Sequence, residues 1–388
     1  MLLLVYGLAL LVATLLSEWS NRTVLSSAVL FLVIGFIVGP QGLGIVHVDI
    51  HSQLVEQVSD LALFTILFSD GLKVGWTDLR QAWRLPGRAL LIGMPLTALA
   101  IAMTGRMLLG LSWLSAFLIG AILSPTDPVF ASAIVGREEI PHRVRHLLNV
   151  ESGLNDGLAL PFVILFIAAL AHATSDVWLV TREAVGGLAG GAIIAGIAGS
   201  IRNVRVFAVA PAQEALVPFA IAIVILATAR ALGWNEYLAA YGGGLTLATI
   251  SPRARDEFEG IGERLGEVLK LAAVLLVAIT MSVVSADVAW VDYLFAAVVL
   301  TFARTVAIGV ALLGSRLTWT ERLVAAWFGP KGFASVIYGL MLLRSGIPNA
   351  ENLFQLVGVT IVLSIVVHSS TDVPIAHYFR RRALEGSR

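Results

Sequence analysis

Long apolar runs, separated by short clusters of polar residues, glycine and proline, fill the chain from end to end. The stretches 2–16, 89–109 and 271–284 are apolar runs, not alternating ones. Strands of an outer-membrane barrel alternate with a period of two over ~10 residues. Runs of ~20 residues instead suit helices that cross a bilayer and satisfy their own backbone groups. Read with breaks at the polar, glycine and proline clusters, the pattern predicts thirteen spans. They fall at about 1–17, 24–39, 54–72, 88–109, 113–135, 145–171, 183–201, 212–232, 235–250, 264–285, 289–314, 320–343 and 352–378. The first lacks the charged leader and cleavage site of a signal peptide and is read as a helix. The fold class is an all-α polytopic membrane protein.

Composition agrees. Of 388 residues, 58% are hydrophobic and 13% charged, against roughly 25% charged in a soluble domain. A water-soluble enzyme and a nucleic-acid binder are excluded on this ground. Cysteine is absent, so disulfides and thiolate metal sites are excluded too, and no cofactor motif is present. Lysine is rare, at positions 73, 270 and 331 only, which is read as genome composition.

Charge then orients the spans. With the N-terminus outside and the C-terminus in the cytoplasm, 20 of the 26 basic residues fall in inside segments and four (Arg106, Arg182, Arg230, Arg344) outside. The positive-inside rule holds at every pair of loops. In this map Arg253, Arg255, Arg264 and Lys270 belong to one inside segment, the last two at the start of the tenth span. The remaining two, Arg304 and Lys331, lie within spans, as do Asp127, Glu151 and Asp156, with Asp70 at a span end. Ionisable groups in hydrocarbon are costly and mark ion or substrate pathways.

Two spans are interrupted. Ser124-Pro125-Thr126-Asp127-Pro128 places two prolines in the middle of the fifth, which predicts two half-helices around an unwound centre. Gly329-Pro330-Lys331-Gly332 interrupts the twelfth. Paired interruptions, one in each half, point to a transporter site built from inverted repeats. Repeat one is about 1–171 and repeat two about 212–378, within a single transmembrane unit. If the breaks cross, Asp127 offsets the positive half-helix ends and Lys331 the negative ones.

The sixth span opens with Asn149-Val150-Glu151-Ser152-Gly153-Leu154-Asn155-Asp156-Gly157. Ser152 and Asp156 share one helix face, and Glu151 and Asn155 the adjacent one. Desolvation disfavours the ionised form of Asp156. Such a group holds a proton or, once ionised, a hard cation bound through oxygens. Asp156, Ser152 and Thr126, with carbonyls freed near Thr126, form the expected ligand set. Glu151 and Arg304 are read as a structural ion pair, since each alone would be an isolated buried charge.

These residues resemble the NhaP-type sodium/proton antiporters of the monovalent cation:proton antiporter-1 family, related to the animal sodium/proton exchangers. The resemblance covers essentially the whole chain. It rests on Thr126-Asp127-Pro128, on Glu151-Ser152-x-x-Asn155-Asp156, on Arg304 and on Phe68-Ser69-Asp70-Gly71-Leu72. It implies an antiporter fold of two inverted repeats with crossed, unwound half-helices. Asp156 is then the carrier carboxylate, with Ser152 and Thr126 as ligands, Asp127 beside the ion and Asn155 connecting Asp127 to the site. Asp70 would lie near the ion in the inward-open state. Na⁺ (alternatively Li⁺ or K⁺) and H⁺ are the implied substrates, exchanged one for one, in the service of pH and sodium homeostasis. The implied assembly is a homodimer in the plasma membrane of a bacterium or archaeon. Its core would be about 88–171 and 289–378, and its dimerisation part about 1–72 and 183–250. Lys331 departs from the arginine of many relatives, and the chain stops soon after Arg382, where many continue into a cytosolic tail.

Other features have plainer expectations. His142 and His146 fall in a basic inside loop, and His368 is a packed helix residue. The glycines at 186, 187, 190, 191 and 242–244 suit close helix contacts, the dimer surface included. Arg380–Arg382 suit anionic lipid. The rival readings are a K⁺/H⁺ antiporter, a cation channel, a proton-coupled symporter of an organic solute, and an intramembrane hydrolase using Asp127 and Asp156. The reading adopted is a transporter and not an enzyme.

Overall fold

A computed structural model describes residues 1–17, 27–48, 52–74, 85–127, 140–171, 177–202, 209–210, 213–284 and 288–386. The described regular structure is helical throughout. The helices are α1 (Leu2–Leu15), α2 (Ser27–Val38), α3 (Gln53–Lys73), α4 (Pro86–Leu109), α5 (Trp113–Leu123), α6 (His142–Leu170) and α7 (Val177–Arg202). They continue with α8 (Leu216–Leu232), α9 (Glu236–Ile250), α10 (Pro252–Val284), α11 (Trp290–Ala311), α12 (Trp319–Trp327), α13 (Phe333–Arg344) and α14 (Ala350–Gly386). Six described helices are long and apolar enough to cross a bilayer, and five shorter apolar ones accompany them.

Local chemistry sets several boundaries. Ser52, Ser112 and Asn235 each accept a backbone N–H in the first turn of α3, α5 and α9. Thr318 and Glu321 form a reciprocal capping box on α12. The interrupted twelfth span is seen directly: α12 ends at Trp327 and α13 starts at Phe333, with extended backbone between. In the fifth span α5 ends at Leu123, and Pro125–Asp127 are non-helical. Its second half, the loops carrying Arg22, Arg80, Arg84, Arg137 and Arg205, and Asn21 lie outside the described residues.

The helices pack as two bundles. In one, α9 lies between α7 and α3, while α10 packs on α2 and α3. In the other, α4, α5, α6 and α11–α14 pack together. The seam between them is crossed mainly by α6 against α3 and by α10 against α13 and α14.

Glycines bring α9 into backbone contact with its neighbours. A Cβ on Gly191 would stand 2.0 Å from the Ala239 carbonyl oxygen, and one on Gly244 2.2 Å from that of Phe68. Where lipid tails are as apolar as side chains, such close approach drives helix association. The close helix contacts expected of these glycines are therefore present within the chain.

Other expectations are corrected here. His142 and His146 are not in a loop: they stack one turn apart at the start of α6, ring centroids 6.0 Å apart. Arg253 and Arg255, placed between spans, are likewise helical, because α10 begins at Pro252, twelve residues before the predicted start of the tenth span. Two helices carry a π-helical turn that periodicity does not reveal, at Ala89–Gly93 in α4 and Val299–Ala303 in α11. The second sits immediately before Arg304, a placement typical of functional segments.

Candidate functional site

The two interruptions meet. The Asp127 N–H donates to the Pro330 carbonyl at 3.0 Å, and the Phe333 N–H, at the start of α13, points to Asp127 Oδ2 at 3.5 Å. Asp127 thus sits at the positive end of α13. From the other side Ser335 Oγ donates to the Ile122 carbonyl in the last turn of α5, at 2.6 Å. Glycine makes the crossing possible: a Cβ on Gly332 would fall 2.0 Å from Asp127 Cβ, and one on Gly329 1.9 Å from Arg304 Nε.

Arg304 organises the negative end of α12. It grips Glu151 with both arms, at 2.7 and 3.0 Å, and the same guanidinium reaches the Phe328 carbonyl at 3.2 Å. His368 faces the Trp327 carbonyl with Nε2 at 3.2 Å, while its Nδ1 lies against Ser364. Ser364 Oγ in turn accepts the Lys331 N–H at 2.8 Å. Arg304 and His368, not the Lys331 ammonium, take the terminal carbonyls of α12. Lys331 Nζ is buried and makes no hydrogen bond among the described residues.

Asp156 lies on α6 beside this crossing, 5% exposed. Among the described residues none donates a hydrogen bond to its carboxylate. Its main chain is fixed, since Tyr338 Oη donates to its carbonyl at 2.7 Å. Gly157 leaves room for the Tyr241 ring, which a Cβ would meet at 2.7 Å. The side chain is a bare acid held in place by its neighbours' bonds to the backbone.

Thr126 faces α6. Its carbonyl accepts from Ser152 Oγ at 2.6 Å and from Asn155 Nδ2 at 3.1 Å, and its Oγ1 accepts from the same amide at 2.9 Å. Both lone pairs of that carbonyl are therefore engaged, so the expectation of a freed carbonyl as ligand does not hold at Thr126. The oxygens of the expected ligand set that stay available include the Asp156 carboxylate and the two hydroxyls. Asn155 bonds Thr126, the residue before Asp127; its Oδ1 has no hydrogen-bond partner among the described residues.

Asp70, buried on the last turn of α3, lies 3.4 Å from Lys73. It shares a cavity of about 140 Å³ with Lys73, Glu267 and Lys270. Lys270 comes from α10 to stand 3.6 Å from Asp127 Oδ2, its side chain 16% exposed. Asp70, Asp127 and Asp156 all lie in electrostatic range of one another and of Lys270, and Asp70 and Asp156 also of Lys73. One sequence signal marks this cluster. All three lysines of a chain that otherwise uses arginine fall at the cavity or at the break.

A family model described as "Sodium/hydrogen exchanger, transmembrane" matches residues 7–377. The chain belongs to this family. Among curated relatives, the K(+)/H(+) antiporter NhaP2 of Shewanella baltica is 25% identical over 381 residues, covering 95% of this chain and 65% of the relative. The K(+)/H(+) antiporter NhaP of Alkalimonas amylolytica is 25% identical over 401 residues, 97% of this chain and 67% of its own. The chain spans about two-thirds of the length of these curated relatives. Among solved structures, the sodium proton antiporter MjNhaP1 from Methanocaldococcus jannaschii superposes with a TM-score of 0.77 at 19% identity, over 95% of this chain and 98% of that one. This family member thus has the antiporter fold, built of membrane helices.

Proposed function

We propose that this chain is a secondary antiporter that exchanges Na⁺ for H⁺ across the cell membrane, one for one, and that Asp156 carries each in turn. The observation that carries the reading is the bare, buried Asp156 carboxylate beside two crossing helix breaks. A buried carboxylate without hydrogen-bond donors among the described residues favours neutralisation, and a proton and a monovalent cation are two guests that supply it. Ser152 Oγ, Thr126 Oγ1 and Asp127 complete an oxygen set for a hard cation, with Asn155 holding Thr126 in place. Glu151 and Arg304 hold the breaks in register. The cavity at Asp70 and Lys73 is the cytoplasmic approach, by the orientation that the basic residues set.

Charge supports one-for-one exchange. Asp156 offers a single carboxylate, and one proton or one monovalent cation neutralises it. Coupling follows if the core bundle, α4–α6 and α11–α14, moves against the other only when that charge is neutralised. The other bundle is the proposed surface of a homodimer. The termini lie outside (N) and in the cytoplasm (C) of a bacterial or archaeal inner membrane, where the exchange serves pH and sodium homeostasis. No bound cofactor and no enzymatic step is needed.

K⁺ is the second reading for the cation, because relatives matched over nearly the whole chain are named K(+)/H(+) antiporters. Everted vesicles separate the two. Addition of Na⁺, Li⁺ or K⁺ to respiring vesicles dequenches a ΔpH dye, and the cation that does so at the lowest concentration is the substrate. Asp156→Asn abolishes the signal. Exchange that persists in that variant overturns the proposal.

A further inference from the structure

Lys270 reaches across the seam between the two bundles. It comes from α10, in one bundle, and its ammonium meets Asp127, at the crossing of the other bundle, 3.6 Å away. Around it lie Asp70 and Glu267 in the cavity and Asp156 in electrostatic range. Its chemistry matters. An ammonium is a compact, strongly hydrated monovalent charge, whereas a guanidinium is a planar fork of five donors. The chain uses lysine three times among 26 basic residues, and one of the three is placed here.

We propose that Lys270 is a tethered cation that occupies the substrate ion's approach at Asp127 in the empty carrier, so that an incoming Na⁺ or K⁺ must displace it. The inference rests on the antiport reading above and adds a determinant of cation affinity to it. The empty carrier has a negative cluster open to water through the cavity. A free cation would enter it at low concentration and stay. A covalently held ammonium competes at a fixed, high effective concentration and raises the cation concentration needed for half-maximal exchange. When the cation is bound, Lys270 swings into the cavity toward Asp70 and Glu267. The pair also bridges the two bundles, so displacement by the cation unfastens a link across the seam.

Competition gives the two obvious variants opposite signs. Lys270→Gln removes the charge and lowers the half-maximal cation concentration at least threefold. Lys270→Arg replaces the point charge with a fork that binds a carboxylate through paired hydrogen bonds, and raises it at least threefold. A merely structural lysine gives weakened binding in both variants or a change in neither.

The test is isotopic binding of ²²Na⁺ and ⁸⁶Rb⁺ to detergent-purified wild type, K270Q and K270R, alongside vesicle dequenching on the same proteins. Opposite shifts in the two variants, in binding and in exchange alike, are the expected result. Unchanged or equally weakened binding in both overturns the inference. If K270Q does not fold, weaker binding by K270R together with an unchanged Tm still supports it, and wild-type affinity in K270R overturns it. The antiport reading fails separately: wild type then binds cations without dequenching the dye, and the binding shifts still decide the role of Lys270.

Discussion

Gly332 lies against Asp127 so closely that a Cβ on the glycine would fall 2.0 Å from the aspartate's own. The backbone of Gly332 is not left-handed (φ −102°), so the requirement is space, not conformation. Gly332→Ala pushes the two breaks apart and moves Asp127 off the start of α13. Overpacking of this kind typically costs ~1–3 kcal/mol. The expected outcome is a protein that inserts and elutes as wild type does in size-exclusion chromatography but exchanges at least tenfold more slowly in vesicles. Wild-type exchange in this variant means that the close approach has no functional weight.

The Glu151–Arg304 pair is a matter of stability first. Both side chains are at most 5% exposed, and removing one partner leaves a buried charge, at a typical cost of ~3–5 kcal/mol. Glu151→Gln and Arg304→Met each lower Tm in detergent, read by tryptophan fluorescence, by about 5 °C or more. The double variant recovers part of the loss, because it leaves no charge unpaired. Arg304→Lys recovers less than half, since an ammonium does not reach Glu151 and the Phe328 carbonyl together.

At the opposite end of the seam from Lys270, Glu56 on α3 pairs with Arg344 on α13 at 2.6 Å. Half-exposed as it is, this pair adds little stability. It does show that the two bundles are closed together there. The chain has no cysteine, so a Glu56→Cys/Arg344→Cys variant carries a single reactive pair. A short reducible bifunctional reagent is expected to stop exchange in this variant and a reductant to restore it. Crosslinking without loss of exchange shows that the bundles do not separate at this end during the cycle.

The membrane class and helix positions were legible because a bilayer forces ~20-residue apolar runs and puts a high cost on stray charge. The interruption between α12 and α13 was legible because proline and glycine leave few alternatives. Lys270 was not. It follows a charge-dense stretch, 253–264, that reads as a loop, yet the whole stretch is helical. The bonds that Ser152 and Asn155 donate to the Thr126 carbonyl also escaped, for spacing along α6 says which residues share a face and not which lone pairs are already taken. The glycines of α7 and α9 announced close packing correctly, but not whether the partner helix belongs to the same chain.

A shared carboxylate has a kinetic signature. If cation and proton compete for Asp156, each unit fall in pH within the titration range raises the half-maximal cation concentration by about tenfold, while the rate at saturating cation holds steady. The measurement is dequenching as a function of cation concentration at four or more pH values. A half-maximal concentration that does not move with pH places the two guests on different groups.

Proton counting reaches the central claim most directly. Purified protein in a weakly buffered solution, below the midpoint of the site, is titrated with the transported cation while released protons are read with a pH dye. One proton released for each cation bound, and neither binding nor release in Asp156→Asn, is the predicted result. Cation binding without proton release, or release that survives in Asp156→Asn, contradicts the account.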